Sequence, residues 1–490
     1  MVKFKVLFAT GEATPLIKTG GLGDVSGSLP AALTQQGQDV RVIMPAYRPV
    51  LGKLTDLSIA GLVHINESVV VRLLEGTFPG TKLKLWLVDS PAHFDRNGGP
   101  YNDEDGNDWS DNAERFTVFA RAVEQIALGK LDLNWQPDVV HCNDWQTGLI
   151  PPLLSLHKER PATVFTIHNL AYQGNYDLGT FDYLKDNFNI PGEFWTLHGM
   201  EFHGMFSFMK GGLMFSDMIN TVSPTYAKEI CTEAFGNGME GLLQHRADRL
   251  RGILNGIDYK QWNPANDPLI DYKFTEKKLQ GKYLNKQKLQ ENFNLPQNDS
   301  TPLIGMVGRL VEQKGIDLAL DIIPGLVENH GIQLALLGSG HKEIEESFQS
   351  LAAKYPYNVG VNIGFSEPLA HQIEAGSDMF LMPSRYEPCG LNQIYSLKYG
   401  AVPVVRHTGG LADTVVHTNE KTLNDGTASG FVFHNPEPGE LYSAMEQALG
   451  YFHNKDAWVQ IMQNGMTADY SWSQSAKAYI DLFQEARKYL

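Results

Sequence analysis

Residues Lys18-Thr19-Gly20-Gly21-Leu22-Gly23-Asp24-Val25 join a short apolar run at residues 4–10 to an amphipathic segment that ends at Gly37. The run predicts a β-strand and the segment predicts a helix, so the glycine-rich stretch is a strand-to-helix loop. Its three glycines let the backbone approach a ligand closely and expose backbone N–H groups. The helix N-terminus adds a partial positive charge and Lys18 a full one. The stretch favours a phosphate or diphosphate site. Its spacing matches neither Gly-x-Gly-x-x-Gly nor a Walker P-loop, so an ordinary glycine-rich turn is the alternative interpretation.

The bulk composition is that of a globular protein with two or three domains. The chain has 490 residues, of which 42% are hydrophobic and 20% charged, and is too long for one compact core. Its formal net charge of −16 disfavours nucleic acid and anionic membranes as partners, and its apolar runs are too short to span a membrane. Three widely spaced cysteines argue against a disulfide framework and against a zinc site. We expect a cytoplasmic protein.

Two series of short apolar strands alternate with helices along the chain. The first series has predicted strands at residues 4–10, 39–45, 83–88, 138–141, 162–167 and 218–222, and a last one at 250–258 that ends in an Asn-Gly turn. The second follows a charged, proline-punctuated segment at 260–300, with predicted strands at 303–307, 333–337, 358–363, 379–382 and 402–405. Apolar strands that alternate with helices form parallel sheets covered on both faces. We predict an α/β protein of two Rossmann-like, doubly wound domains that face each other across a deep cleft.

Polar residues follow two strands of the first series. Asp144 lies in the run His141-Cys142-Asn143-Asp144-Trp145, and His168 lies in Thr166-Ile167-His168-Asn169. A lone histidine is more often a structural hydrogen-bonding group than a catalytic one. Doubly wound sheets bind ligands at the carboxyl ends of their strands, where Lys18 is also expected. We therefore interpret Asp144 and His168 as functional residues.

The second series carries two basic residues in one strand-to-helix loop, Gly308-Arg309-Leu310-Val311-Glu312-Gln313-Lys314-Gly315. Arginine can bind phosphate oxygens bidentately, and lysine acts as a compact point charge. Such residues are usually solvated surface charges. Facing Lys18 across a cleft, however, Arg309 and Lys314 would neutralise a nucleotide diphosphate without a metal ion.

Glu387 lies in the run Ser384-Arg385-Tyr386-Glu387-Pro388-Cys389-Gly390-Leu391-Asn392-Gln393, between a predicted strand and a helix. One interpretation is a carboxylate that caps the helix N-terminus. The other is a carboxylate that accepts hydrogen bonds from sugar hydroxyls while nearby backbone N–H groups hold a phosphate. Downstream, Thr408-Gly409-Gly410-Leu411-Ala412-Asp413 is a further glycine turn compatible with nucleotide or sugar contacts.

One acidic cluster resembles a calcium loop superficially: Asp103-Glu104-Asp105-Gly106-Asn107-Asp108. Its sixth position is Asp108 instead of the glycine that the sharp turn of such loops requires. We interpret the cluster as a solvated acidic loop, and we predict neither a metal site nor a cofactor.

Six ordered motifs resemble those of bacterial glycogen synthases and plant starch synthases, at residues 18–25, 141–145, 166–174, 255–258, 308–315 and 387–391. The resemblance extends over essentially the whole chain. It implies a GT-B fold, with an acceptor-side domain at residues 1–257, a donor-side domain at 258–472 and a C-terminal helix at 473–490 that packs back on the first domain. It also implies transfer of glucose from ADP-glucose to the non-reducing 4-hydroxyl of an α-1,4-glucan in glycogen biosynthesis, with retention of configuration.

The resemblance also assigns roles to single residues. The donor diphosphate would contact Lys18, Gly20, Gly21, Arg309 and Lys314. The transferred glucose would contact Glu387, the backbone at Cys389, Gly390 and Leu391, and the side chains of Asp144, His168 and Asn255, with Tyr101 and Glu12 nearby. The expected catalytic groups are Glu387, Asp144, His168 and Lys18. Related retaining enzymes often carry a second carboxylate eight residues after the first, where this chain has Tyr395.

Several alternatives stay open at the level of sequence. The donor could be UDP-glucose, because spacing does not reveal a base-selective pocket. A glucan phosphorylase would share the two-domain plan, but no motif resembles its pyridoxal phosphate attachment site. A catalytically silent glucan-binding protein is disfavoured by the joint presence of Lys18, Arg309, Lys314 and Glu387. The oligomeric state is not predicted.

Overall fold

The computed structural model describes residues 2–490, and the chain divides into two compact units. The first unit comprises the residues up to Gly256 together with Trp472–Leu490, and the second comprises Ile257–Ser471. Within the described residues, no helix is both long and apolar enough to cross a membrane.

The first unit is built on a mixed sheet whose central strands are parallel. Its strands are β1 (Lys5–Ala9), β2 (Asp39–Pro45), β3 (Ser58–His64), β4 (Val70–Thr77), β5 (Lys84–Asp89), β6 (Val139–Asn143), β7 (Ala162–Ile167), β8 (Asn175–Tyr176), β9 (Glu201–Phe202), β10 (Met205–Ser207), β11 (Met218–Thr221) and β12 (Leu250–Gly252). The main sheet has the order β12-β11-β7-β6-β1-β2-β5-β4-β3, and β8-β10-β9 form a small antiparallel sheet. Because β1 pairs in parallel with β2 and β6, and β6 with β7, the carboxyl ends of these predicted strands meet at one edge.

The sequence analysis missed β3 and β4, which pair antiparallel with each other at the end of this sheet. Ile59 and Leu62 of β3 are exposed, and the register of β3 against β4 shifts between Ile59 and Gly61. The strand therefore lacks the continuous buried apolar run by which parallel strands are recognised.

Helices cover both faces of the sheet. Those of the first unit are α1 (Gly21–Gln35), α2 (Arg48–Leu51), α3 (Pro91–Phe94), α4 (Asn112–Ala127), α5 (Ile150–Ser155), α6 (Leu178–Phe188), α7 (Phe208–Phe215), α8 (Pro224–Glu229) and α9 (Glu240–His245). Helix α1 begins at Gly21, inside the glycine-rich stretch, and buries Val25, Leu29 and Leu33, the face that the sequence predicts. The segment at 171–216, which no single pattern describes, contains α6, α7 and the small sheet.

The second unit contains a wholly parallel sheet in the order β15-β14-β13-β16-β17-β18. Its strands are β13 (Leu303–Leu310), β14 (Gln333–Gly340), β15 (Val359–Ile363), β16 (Met379–Met382), β17 (Val402–Arg406) and β18 (Phe431–Phe433). Its helices are α10 (Gln280–Asn292), α11 (Ile316–His330), α12 (Lys342–Lys354), α13 (Glu367–Gly376), α14 (Asn392–Lys398), α15 (Gly409–Thr414), α16 (Glu420–Asn424), α17 (Pro438–Phe452) and α18 (Lys455–Thr467). Alternate residues of β14 enter opposite clusters, Leu334 and Leu336 on one face and Ala335 and Leu337 on the other. This double burial is the pattern that a doubly wound sheet requires.

The chain then returns to the first unit as α19 (Trp472–Ala486). The ring of Phe483 packs edge-on against Phe4 with ring centroids 6.4 Å apart, and the Tyr479 hydroxyl accepts a hydrogen bond from Asn220 Nδ2 at 2.9 Å. These contacts make α19 part of the core of the first unit.

The strand predicted at residues 250–258 is shorter than expected. It ends at Gly252, and Asn255 lies in a segment without regular structure. The backbone N–H of Ile257 donates to Tyr470 O at 2.9 Å, so the chain pairs here with the segment before α19. The prediction was wrong beyond Gly252, because Ile253 makes the last backbone hydrogen bond to the sheet, to Thr221 O at 2.8 Å.

Candidate active site

The glycine-rich loop of the first unit is organised around the carboxylate of Glu12. This carboxylate accepts hydrogen bonds from the backbone N–H groups of Thr19 and of Gly20 (3.3 Å), and from the Thr19 hydroxyl at 3.0 Å. The Tyr101 hydroxyl donates to it at 3.4 Å. Burial raises the pKa of Glu12, and the hydrogen bonds from Thr19 oppose that rise. Two backbone N–H groups of the loop are therefore directed at the Glu12 carboxylate. The expectation that its N–H groups are free is wrong for Thr19 and Gly20, which the protein's own carboxylate engages.

Lys18 and the glycines beside it lie at the start of α1. Lys18 Nζ is 2.8 Å from Asp24 Oδ1, and half of the lysine side chain is exposed. A methyl group on Gly23 would lie 3.1 Å from Lys18 Cγ, whereas one on Gly20 or Gly21 would meet no described atom within 4 Å. Gly23 permits close packing within the loop, and Gly20 and Gly21 leave open space beside it.

Asp144 directly follows β6 and has a strained backbone. Its φ of +56° and ψ of −178° fall in a region that residues other than glycine rarely adopt, and such outliers concentrate at functional sites. Asp144 Oδ1 accepts a hydrogen bond from the backbone N–H of His168 at 2.7 Å. Burial raises the pKa of Asp144 to about 7, with a further contribution from Glu12. The carboxyl group therefore changes charge close to neutral pH.

His168 directly follows β7, and its neighbours fix its tautomer. Asn143 Nδ2 donates to Ala9 O at 3.0 Å, which leaves Asn143 Oδ1 facing His168 Nε2 at 3.0 Å. Because an amide oxygen only accepts, Nε2 carries the proton. The Nδ1 atom is buried without a hydrogen-bond partner among residues 2–490 and is an acceptor. Burial lowers the pKa of His168 to about 3, so the ring is neutral at physiological pH.

Tyr101 and Asn255 also belong to the first unit. The Tyr101 ring packs beside Trp145 with centroids 6.0 Å apart, next to Asp144 in the chain. Asn255 is buried, and its Oδ1 has no hydrogen-bond partner in the described part of the chain. Lys18, by contrast, lies nine residues past β1 and does not share the immediate strand-end position of Asp144 and His168.

In the second unit, a cavity at the carboxyl ends of β13, β14 and β16 is lined by Arg309, Lys314 and Ser384, among others. Lys314 Nζ lies 2.6 Å from Glu387 Oε2, and Ser384 Oγ donates to the same oxygen at 3.0 Å. Glu387 is buried. Helix α14 begins only at Asn392, and its N-cap is Leu391. The helix-capping interpretation of Glu387 is therefore wrong.

The Thr-Gly-Gly turn before α15 supports the backbone of the Glu387 loop. A methyl group on Gly409 would lie 1.9 Å from Glu387 O, and one on Gly410 would lie 2.0 Å from Cys389 O. The N–H of Gly410 donates to Glu387 O at 3.2 Å. Gly390 has a φ of +70° within the same loop. Gly409 and Gly410 are thus required for close approach to residues 387–391.

The sequence analysis did not identify Phe365, which is the most exposed of the large apolar side chains described, at 88%. It follows β15, and the N–H of the preceding Gly364 donates to Gly338 O at 2.9 Å. Phe365 therefore lies at the same sheet edge as Arg309, just beyond the end of β15. An aromatic residue directly after a strand-ending glycine is the signal that could have indicated it.

The acidic segment at 103–108 forms an exposed turn. Asp103 Oδ1 accepts hydrogen bonds from the N–H groups of Asp105 (3.0 Å) and Asn107 (2.9 Å). Its carboxylate thus serves the turn itself, which is consistent with the interpretation as a solvated loop.

The chain is similar to known proteins in both sequence and structure. Residues 5–245 match the family model of the starch synthase catalytic domain, and residues 287–453 match that of glycosyl transferases group 1. The chain is 52% identical over 483 residues to the glycogen synthase of Thioalkalivibrio sulfidiphilus, covering 98% of this chain and 99% of the relative. The chain belongs to the glycogen synthase family. The glycogen synthase of Cellvibrio japonicus is likewise 52% identical, with 97% of this chain and 98% of the relative covered.

Solved structures place this glycogen synthase family member in the GT-B fold class. The catalytic domain of starch synthase IV from Arabidopsis thaliana, bound to ADP and acarbose, superposes with a TM-score of 0.86 at 31% identity, covering 99% of both chains. Sucrose-phosphate synthase from Thermosynechococcus elongatus matches at a TM-score of 0.59 and 15% identity, which shows the fold alone. The protein is a hexosyltransferase of glycogen synthesis, and the predicted GT-B class is confirmed.

Proposed function

We propose that this enzyme transfers glucose from ADP-glucose to the non-reducing 4-hydroxyl of an α-1,4-glucan such as glycogen, with retention at the anomeric carbon. The observation that carries the proposal is that Lys314, which lines one cavity together with Arg309, is paired with the buried carboxylate of Glu387. Arg309 and Lys314 are cations that could bind a diphosphate, and the carboxylate of Glu387 could accept hydrogen bonds from sugar hydroxyls. The Arabidopsis relative was solved with ADP and acarbose, which is a further argument for an adenine nucleotide and a glucan-like acceptor.

Lys18, Arg309 and Lys314 are proposed to bind the donor diphosphate, with Gly20 and Gly21 leaving room for it. Charge-assisted hydrogen bonds of this kind stabilise the leaving group as it gains negative charge. Three cations provide the compensation that a metal ion provides in other nucleotide-sugar enzymes. The proposal therefore needs no metal and no cofactor.

The transferred glucose is proposed to contact Glu387, the backbone of Cys389, Gly390 and Leu391, and the side chains of Asp144, His168 and Asn255. The free Nδ1 of His168 is an acceptor and suits a sugar hydroxyl. Asn255 Oδ1 is a second buried acceptor that a hydroxyl would satisfy. Glu12 and Tyr101 are proposed to act indirectly, by holding the glycine-rich loop in position.

Retention does not require a separate protein nucleophile in this proposal. The second carboxylate position of related retaining enzymes holds Tyr395, whose ring stacks on Trp262 with centroids 3.7 Å apart. Tyr395 is thus a packing residue. The departing phosphate oxygen takes the proton of the acceptor hydroxyl, and Asp144 acts through charge and orientation.

The test is incorporation of labelled glucose into glycogen from ADP-glucose and UDP-glucose in parallel, with Glu387→Gln as the matched control. We expect incorporation from ADP-glucose and a large loss of turnover in the variant, because oriented sugar contacts act in the transition state. A preference for UDP-glucose would overturn the donor assignment. Equal turnover of the Glu387→Gln enzyme would overturn the role of Glu387.

A further inference from the structure

Tyr172 is an exposed aromatic residue on a loop whose backbone is held on both sides. Its side chain is 55% exposed. Before it, Leu170 is fully buried and its N–H donates to the Tyr226 hydroxyl at 3.2 Å. After it, Gln173 O and Gly174 O accept hydrogen bonds from the first residues of α7, each at 3.0 Å. The ring is therefore presented to solvent by an ordered backbone.

The same loop lies beside the strand ends that carry Asp144 and His168. Tyr172 is four residues past His168, and its N–H donates to Asn169 O at 3.3 Å. A methyl group on Gly174 would lie 2.5 Å from the ring of Trp145, which directly follows Asp144. The loop thus packs against the residue next to Asp144.

The surroundings of Tyr172 have the composition of a sugar-binding surface. Within residues 2–490, the Tyr172 ring and hydroxyl have no hydrogen-bond or ring partner. Amide side chains flank it in sequence: Asn169, Gln173 and Asn175, with Asn175 Nδ2 donating to Gln173 Oε1 at 3.0 Å. An exposed aromatic face suits the apolar C–H face of a glucose ring, and amides suit its hydroxyls.

We propose that Tyr172 forms an acceptor subsite, on which a glucose unit of the α-1,4-glucan stacks while the chain end lies at Asp144 and His168. This inference rests on the proposed function, because it takes the acceptor to be an α-glucan. A nucleotide base would also stack on an exposed ring. The glucan is favoured because the loop of Tyr172 follows His168 and packs against Trp145, and the proposed function assigns His168 to a sugar.

The test compares Tyr172→Ala, Tyr172→Phe and Tyr357→Ala in the full-length enzyme. Tyr357 is a matched control, since it is 72% exposed and lies in the second unit just before β15, at the end of the strand opposite Phe365. We expect Tyr172→Ala to raise the KM for maltoheptaose about 2- to 12-fold, as loss of one aromatic stacking contact would. Tyr172→Phe should stay close to the native value, because the ring is kept. The Kd for ADP and the KM for the donor should be unchanged in all three variants.

The outcomes separate this inference from the function on which it rests. If the native enzyme incorporates glucose and Tyr172→Ala has a native KM for maltoheptaose, only the subsite is wrong. A rise in the Kd for ADP in Tyr172→Ala would assign the ring to the nucleotide and overturn the subsite. If the native enzyme incorporates no glucose from either donor, the proposed function fails. Circular dichroism checks that the variants are folded, which is expected for an exposed side chain.

Discussion

Lys314 Nζ lies 2.6 Å from Glu387 Oε2, with the lysine 24% exposed and the carboxylate only 8% exposed. Removing one partner of an ion pair that is so little exposed to solvent lowers stability, because the remaining charge is left buried without its partner. The corresponding pair in the first unit, Lys18 with Asp24, is half open to solvent. Lys314 therefore holds a site carboxylate in place in addition to any role with the donor, whereas Lys18 is free to exchange partners.

Replacement of Lys314 by alanine should lower both donor affinity and stability. We expect ADP to bind about 10- to 150-fold more weakly, from the loss of a charge-assisted hydrogen bond worth about 1.5–3 kcal/mol. Calorimetric titration with ADP and thermal unfolding measure the two effects. The double variant Lys314→Ala with Glu387→Gln should recover stability, since no buried charge remains, but not ADP affinity. An unchanged Kd in Lys314→Ala would remove this residue from the diphosphate site.

Replacement of Lys18 by alanine should weaken ADP binding by about tenfold or more without a measurable change in stability. An exposed ion pair contributes only about 0–1 kcal/mol, so loss of the Asp24 contact costs little. The matched control is Lys84→Ala, which removes a lysine exposed to the same degree and paired with Glu75 at 2.9 Å in the same unit. We expect native ADP binding in the control. A common decrease in both variants would point to net charge instead of a specific contact.

Phe365 tests which part of the donor the second unit binds. With the ring 88% exposed at the same sheet edge as Arg309, we expect Phe365→Ala to raise the KM for ADP-glucose about 2- to 12-fold and Phe365→Trp to preserve it. The physical reason is loss of an aromatic surface for the nucleotide base. Leu197→Ala, which removes a 73% exposed side chain in the first unit, is the control. Steady-state kinetics that leave Phe365→Ala indistinguishable from this control would contradict a role in donor binding.

Much of the fold follows from local sequence patterns. Strands β2, β7 and β16 have the predicted limits because each is a buried apolar run bounded by polar or turn-forming residues. The antiparallel strand β3 was not predictable in this way, because Val63 is its only buried residue and no buried apolar run marks it. The end of β12 was missed because the partner of Ile257 is Tyr470, more than 200 residues away in the chain. Pairings at that separation leave no local signal.

The candidate site was predictable as a set of residue types, but not in its internal contacts. The strand-end positions of Asp144 and His168 follow from parallel pairing, which places them at one edge. The contact of Glu12 with the backbone at Thr19 and Gly20 depends on how the loop folds back, which glycine spacing does not determine. Exposure likewise separates Phe365 from the buried aromatics, and exposure is a property of the folded chain alone.

Asp144 should make stability depend on pH in a direction opposite to that of an ion-paired carboxylate. Its pKa is raised from 3.8 to about 7 by burial, so between these values the folded state keeps a proton that the unfolded state has lost. The contribution of this group to the free energy of unfolding is therefore present at low pH and is lost as the pH rises through 7. Relative to the native protein, Asp144→Asn should gain about 3 kcal/mol in its free energy of unfolding between pH 5 and pH 8, while losing activity. Denaturant unfolding at the two pH values measures the gain.

The same experiment separates the effect of Asp144 on the pH dependence of stability from the effect of the buried histidines. The pKa of His168 is lowered to about 3 by burial, so its contribution is lost as pH falls from about 6.5 towards 3. That loss occurs in the native protein and in Asp144→Asn alike and cancels in their difference. A difference in stability that stays constant from pH 5 to pH 8 would show that Asp144 keeps its charge throughout.

Gly409 should control the position of Glu387 without touching the substrate. A methyl group there would lie 1.9 Å from Glu387 O, and the φ of +44° is itself unfavourable for alanine. Gly409→Ala must therefore displace the Glu387 loop, and we expect a loss of turnover comparable to that of Glu387→Gln. The control is Gly426→Ala, whose φ of +68° imposes a similar backbone cost but whose methyl group meets nothing described within 4 Å. Both variants should lose stability, since each forces alanine into a left-handed conformation, but only Gly409→Ala should lose turnover. Equal turnover in the two variants would show that the close approach at Gly409 does not position Glu387.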